Sequence, residues 1–223
     1  MHYLYSIVLF SLFFGWSYAL QQIAYFLIHH RFEKHGLNFY QQIPDLLLLG
    51  VSSLSFYAAS CTILPNSPIY FILISALWVT IHSDLRFMLI SRFVSLYLIP
   101  IAIAATVFKL LPITPVESIS CCLLSAIFLL TVNKIFSMLK GHDGLGQGDI
   151  ELIACIGSWI GFLGTWFTIL VGSVVGTLCG CIYIIITRSQ IKVIPFGPFL
   201  ASACLLFIIG QNYILQLLLT HLI

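Results

Sequence analysis

Long apolar runs alternate with short polar punctuation along the whole chain. Bounded by charge, Pro or Asn, the runs predict helical spans near 4–28, 45–64, 68–84, 92–111, 115–137, 149–164, 166–187 and 196–220. A helix needs roughly 20 apolar residues to cross hydrocarbon, so eight such stretches use up the chain and leave no room for a separate soluble domain. The expected fold is therefore an all-α integral membrane protein of about eight transmembrane helices, a single polytopic domain over 1–223. The first run is about as long as a signal peptide, yet no basic residue precedes its apolar core, and it is read as a retained span.

Composition agrees with lipid as the main solvent. Hydrophobic residues make up 61% and charged residues 7% of the chain, against roughly 25% charged in soluble domains. Cys61, Cys121, Cys122, Cys155, Cys179, Cys181 and Cys204 all lie inside apolar runs without C-x-x-C spacing. They read as small packing or lipid-facing residues, and no metal site is expected from them.

Charge then orients the spans. If the eight spans alternate, Arg31, Lys34, Arg86, Arg92, Lys134, Lys140, Arg188 and Lys192 fall on one side and Lys109 on the other. Short cytoplasmic loops collect Lys and Arg, so this side is the cytoplasm and both termini lie outside. Glu33, Asp84, Asp143, Asp149 and Glu151 share the cytoplasmic side, Asp45 joins them at a span start, and Glu117 stands alone outside. Glu33 and Asp143 read as solvated loop residues, and Asp45, following Pro44, as an acid in a first helical turn.

Asp84 and Asp149 stand apart. Asp84 ends an apolar helix in Trp78-Val79-Thr80-Ile81-His82-Ser83-Asp84-Leu85-Arg86, and Asp149 begins one after Gly144-Leu145-Gly146-Gln147-Gly148. A carboxylate at the apolar boundary costs about a few kcal/mol unless paired or wetted, which makes such acids functional candidates. Gly144, Gly146 and Gly148 remove side-chain bulk and allow unusual backbone conformations, so that an extended peptide can approach. A phosphate-binding loop would need a following Lys-Ser/Thr and a preceding strand, and neither is present.

Two carboxylates brought together can divide acid and base roles, one activating water while the other, protonated, polarises a scissile carbonyl. Such chemistry needs no metal or cofactor. The helix dipole favours Asp149, at a helix start, as the base and Asp84, at a helix end, as the acid. Gly157 with Gly161, and Gly172, Gly176 and Gly180, follow the small-x-x-x-small spacing of close-packed membrane helices; they are expected to hold the Asp149 helix at a fixed distance from the Asp84 helix. A small proton-coupled transporter is the alternative of another class, since embedded acids also mark transporters. Both acids at one interface, without an inverted repeat, favour the peptidase reading.

On Asp84-Leu85-Arg86, Gly144-Leu145-Gly146-Gln147-Gly148-Asp149 and Ile194-Pro195-Phe196-Gly197-Pro198-Phe199-Leu200, the chain resembles the type IV prepilin peptidases, membrane aspartic proteases with a Gly-x-Gly-Asp motif. The resemblance implies Asp84 and Asp149 as the catalytic pair. It also implies cytoplasmic-side cleavage of a short basic leader, after a glycine and before the hydrophobic helix of a pilin or pseudopilin. The setting it implies is a bacterial inner membrane serving pili, type II secretion or competence. Expected partners are prepilin substrates and the bilayer, not nucleic acid. Archaeal preflagellin peptidases are a neighbouring possibility, with the Pro195–Leu200 segment favouring the prepilin branch.

Three departures stand out. The short cytoplasmic loop 29–44 lacks the cysteine pairs linked in many members to zinc and N-methylation, and its His29, His30 and His35 have no partner beyond Glu33 to make a metal site. The family often has Ile-Pro-Asp or Ile-Pro-Asn where this chain has Ile90-Ser91-Arg92. It often has Lys where this chain has Glu151.

Overall fold

A computed structural model of the protein describes residues 2–29, 45–187 and 195–222, and all regular structure among them is helical. The helices are α1 (His2–His29), α2 (Asp45–Thr62), α3 (Tyr70–Phe87), α4 (Arg92–Val107), α5 (Pro115–Lys140), α6 (Gln147–Thr187) and α7 (Gly197–Leu222). At α5 the polar punctuation read from the sequence supplies both ends. Thr114 caps α5 by accepting the Glu117 N–H, Pro115 takes the first turn where its missing N–H is harmless, and Gly141 closes the helix at φ 77°. The expected loop 29–44, with His30 and His35, lies outside the described residues apart from the end of α1.

The two spans expected at 149–164 and 166–187 are two helical segments that meet directly at Gly161. α6 runs for 41 residues without a loop, but is broken at Gly161, where φ is 70° and ψ is −168°. An unbroken helix of that length would extend about 60 Å, roughly twice a hydrocarbon core. Gly161 was expected to be a packing glycine, but its conformation makes it the break instead. A Cβ there would come within 2.5 Å of Glu117 Oε1. That same oxygen accepts the Phe162 N–H at 3.5 Å, giving the second half of α6 a partner for a freed donor.

By length and composition, three helices among the described residues are apolar and long enough to cross a membrane: Ser6–Leu27, Pro115–Lys140 and Gln147–Ile186. Leu46–Thr62, Val94–Val107 and Gly197–Gln211 are shorter apolar helices. Large apolar side chains face outward, with Leu139 77% and Ile186 75% exposed. A surface of that kind suits lipid, and the chain is an integral membrane protein.

The chain divides into two compact units. The first holds α1, α2, α3 and α7 from Leu205 onward. Its helices meet through Phe13, Trp16, Phe56 and Phe71, with ring centroids 5.3–5.8 Å apart. Indole donors tie the helices further: Trp16 Nε1 donates to Ser75 Oγ at 3.1 Å and Trp78 Nε1 to Ser55 Oγ at 2.7 Å.

The second unit, Ile90–Cys204, packs α6 against α5, α4 and the start of α7. Ser118 Oγ donates to the Ser158 carbonyl at 2.7 Å, and Trp159 Nε1 to the Leu98 carbonyl at 3.1 Å. A Cβ on Gly157 would lie 3.0 Å from the Cys121 carbonyl oxygen, and one on Gly172 3.2 Å from Leu200 Cα. The glycine spacing thus serves close packing, as expected of it, but the neighbours it meets are α5 and the start of α7. All seven cysteines are free thiols.

Candidate active site

Asp84 lies in the last turn of α3. From Leu77 to Asp84 every residue of this helix is buried, so the carboxylate comes at the end of an enclosed stretch and not on an amphipathic face. The hydroxyls on the way are satisfied within the helix, Thr80 on the Ala76 carbonyl and Ser83 on the Thr80 carbonyl. The helix then stops on Met88, in the left-handed region at φ 50°, whose N–H returns to the Asp84 carbonyl at 2.9 Å. Asp84 itself is 4% exposed.

His82, two residues earlier, went unremarked in the sequence reading. It is 1% exposed, its ring lies 5.9 Å from that of Trp78, and neither nitrogen has a hydrogen-bond partner among the described residues. The signal available for it was simply a polar residue in an apolar run.

Asp149 belongs to the other unit and is held differently. α5 ends at Gly141, and the loop from Gly141 to Gly146 folds back over the end of that helix. Asn133 Oδ1 accepts both the Gly144 and the Leu145 N–H at 2.9 Å. The Phe136 ring lies under Gly144, where a Cβ would come within 2.6 Å of it, and packs edge-on against His142. α6 then starts at Gln147 and carries Asp149 in its first turn, with its N–H on the Gly146 carbonyl at 3.1 Å. Asp149 is 8% exposed, and its Oδ1 has no hydrogen-bond partner among the described residues.

The three alternating glycines have distinct roles. None adopts the left-handed region, so it is the missing side chain and not backbone freedom that the fold uses. Gly144 makes room for Phe136 and Gly148 for Ile90, whose Cβ would lie 2.9 Å from a Cβ at 148. Gly146 is exposed and sits against the carboxylate, 3.1 Å from Asp149 Oδ2 to the Cβ position. Of the three, Gly146 best fits the expected approach of another backbone.

An ion pair joins the start of α4 to α6 just past its first turn. Arg92 Nε lies 3.1 Å from Glu151 Oε1. Neither this pair nor the Asn133 latch was apparent from the sequence, although Asn133 is a polar residue inside a long apolar helix. No group of three or more His, Cys, Asp or Glu side chains among the described residues could hold a metal ion.

Residues 71–182, half of the chain, match the type IV leader peptidase family. Similar proteins include one named prepilin leader peptidase/N-methyltransferase in Xanthomonas campestris pv. campestris, 42% identical over 76 residues, which are 34% of this chain and 26% of that one. Proteins of the same name in Aeromonas salmonicida and Pseudomonas putida are 43% identical over 70 residues (30% of this chain, 24% of the relative) and 40% over 77 (34% and 26%). The matched stretch thus spans about a quarter of the length of these relatives. No solved structure matches the chain.

Proposed function

The chain belongs to the type IV leader peptidase family, and from that premise we propose that it is an aspartic endopeptidase cleaving prepilin or pseudopilin leaders, with Asp84 and Asp149 as the reacting carboxylates. The observation that carries this reading is Asp149 itself: a buried carboxylate with one oxygen unpartnered among the described residues, at the start of a helix, beside an exposed glycine. An unpartnered carboxylate oxygen at a helix start, next to an exposed glycine, leaves an acceptor available to a water or a substrate.

In the reaction, Asp149 takes a proton from water as the water oxygen bonds to the carbonyl carbon of the scissile peptide. Asp84, protonated, hydrogen-bonds the carbonyl oxygen as negative charge develops there. Proton transfer to the leaving nitrogen completes cleavage. The helix start at Asp149 supports its role as the base, and the helix end at Asp84 its role as the acid. Gly146 gives an extended leader room to lie beside the carboxylate.

The basic-residue bias supports eight spans with the site facing the cytoplasm from the inner membrane. Cleavage after a glycine, ahead of the pilin helix, follows from the family resemblance. The proposal covers leader cleavage and not N-methylation, because residues 29–44 contain no cysteine.

The test is co-expression with a type IV prepilin carrying a basic leader that ends in glycine, followed by mass spectrometry of the pilin N-terminus. The expected product begins at the residue after that glycine, and a bulky replacement of the glycine blocks its formation. Intact prepilin beside abundant, membrane-inserted enzyme would overturn the reading.

A further inference from the structure

We propose that Arg92 and Glu151 act as a positioning pair for Asp149, fixing the opening of α6 against the start of α4. The inference rests on the peptidase reading above. Its geometric basis is local to the second unit.

Glu151 lies two residues after Asp149 in the opening of α6, and its side chain is only 15% exposed. Its Oε1 meets Arg92 Nε at 3.1 Å, while Oε2 is buried without a hydrogen-bond partner among the described residues. Among the described residues Arg92 is the cation that meets it, and losing that partner would leave a largely enclosed carboxylate unmatched. Arg92, at 55% exposed, reaches in from the first residue of α4.

A second contact lies beside the ion pair. Ile90 packs on Gly148, where a Cβ would come within 2.9 Å of the Ile90 Cβ. The segment Ile90-Ser91-Arg92 therefore grips α6 on both sides of Asp149 in sequence, at 148 and at 151. The stretch of helix that carries Asp149 is thereby held at both of these positions.

The signs of this pair also account for two departures noted in the sequence. Where the family pattern often has an acid or amide, this chain has Arg92, and where it often has Lys, this chain has Glu151. The two changes meet in one ion pair, so each makes the other tolerable. Either one alone would place like charges together or leave a buried charge unmatched.

The experiment uses the full chain in membranes with the co-expressed prepilin, comparing Arg92→Glu, Glu151→Arg and the double exchange at equal amounts of folded enzyme. Each single reversal should lower kcat about tenfold with KM within about twofold, and the double exchange should recover to within about threefold of the unmodified rate. A purely structural pair would change abundance or melting midpoint but not kcat per folded molecule.

Unchanged kcat in both singles, or a double variant slower than either, would overturn the proposal. If the reversals do not accumulate, Arg92→Gln and Glu151→Gln replace them, with a kcat loss in each expected and normal rates contradicting the pair. If the unmodified chain cleaves nothing, the peptidase reading fails separately. Cleavage by the unmodified chain together with unchanged kcat in both singles rejects the pair alone.

Discussion

The two aspartates are positioned by opposite means. Asp84 comes at the end of a buried helix, on a stretch of α3 whose last eight residues before Leu85 are all enclosed. Asp149 comes at the start of a helix, and its place is set by a loop that is tied at several separate points. These are Asn133 on two successive N–H groups, Phe136 under Gly144, Ile90 against Gly148 and Arg92 on Glu151. Packing distributes a position over many weak contacts, whereas a latched loop concentrates it in a few. Single substitutions should therefore misplace Asp149 easily, and disturb Asp84 mainly through the stability of its unit.

The sharpest break of this comparison is chemical. Asp84→Asn and Asp149→Asn keep shape but remove the proton-transfer groups, and each is expected to lower leader cleavage by about 10³-fold or more at unchanged membrane abundance. Here the two sides must behave alike. They should differ in everything that surrounds the carboxylates.

Gly148→Val comes next in size. Its Cβ would collide with the Ile90 Cβ, close to the backbone and unable to swing away, and overpacking of this kind costs about 1–3 kcal/mol. Cleavage should fall about tenfold or more. Gly144→Ala meets the Phe136 ring as its nearest neighbour, a side chain that is 38% exposed and can rotate aside, so its loss should be smaller, and Phe136→Ala in the same chain should relieve it. Equal losses at 144 and 148 in the cleavage assay would contradict this account of the glycines.

Asn133→Leu removes the acceptor for two loop donors. Net hydrogen-bond contributions of about 0.5–1.5 kcal/mol each, partly replaced by water at the exposed Gly144, predict a loss of cleavage of about threefold to tenfold. Asn133→Asp keeps an acceptor oxygen and should lose less. The smallest effect on rate belongs to the other unit: Trp78→Phe breaks the bond to Ser55 and should lower stability by about 1 kcal/mol, seen as a lower melting midpoint. Cleavage per folded molecule should stay the same.

Helix positions were legible in the sequence because lipid makes hydrophobic runs and their punctuation decisive. Thr114-Pro115 and Gly141 set the ends of α5 as such residues should, and the expected helix ends for Asp84 and helix start for Asp149 are where the structure has them. Gly161 was harder, because a four-residue spacing cannot distinguish a glycine needed for closeness from one needed for a positive φ. The Arg92–Glu151 pair was read as two unrelated departures, since nothing local links positions so far apart in the chain. Asn133 was hidden by its long apolar helix, and only the folded-back loop reveals what its side chain is for.

If Asp84 and Asp149 act as a catalytic pair, as proposed, the deciding measurement is the initial rate of prepilin cleavage in Asp84→Asn, Asp149→Asn and the double variant at matched folded enzyme. Groups that act together lose their effect together. The account predicts that both singles fall by about 10³-fold or more and that the double is no slower than either, within about threefold. Normal cleavage in either single, or losses that multiply in the double, would contradict it.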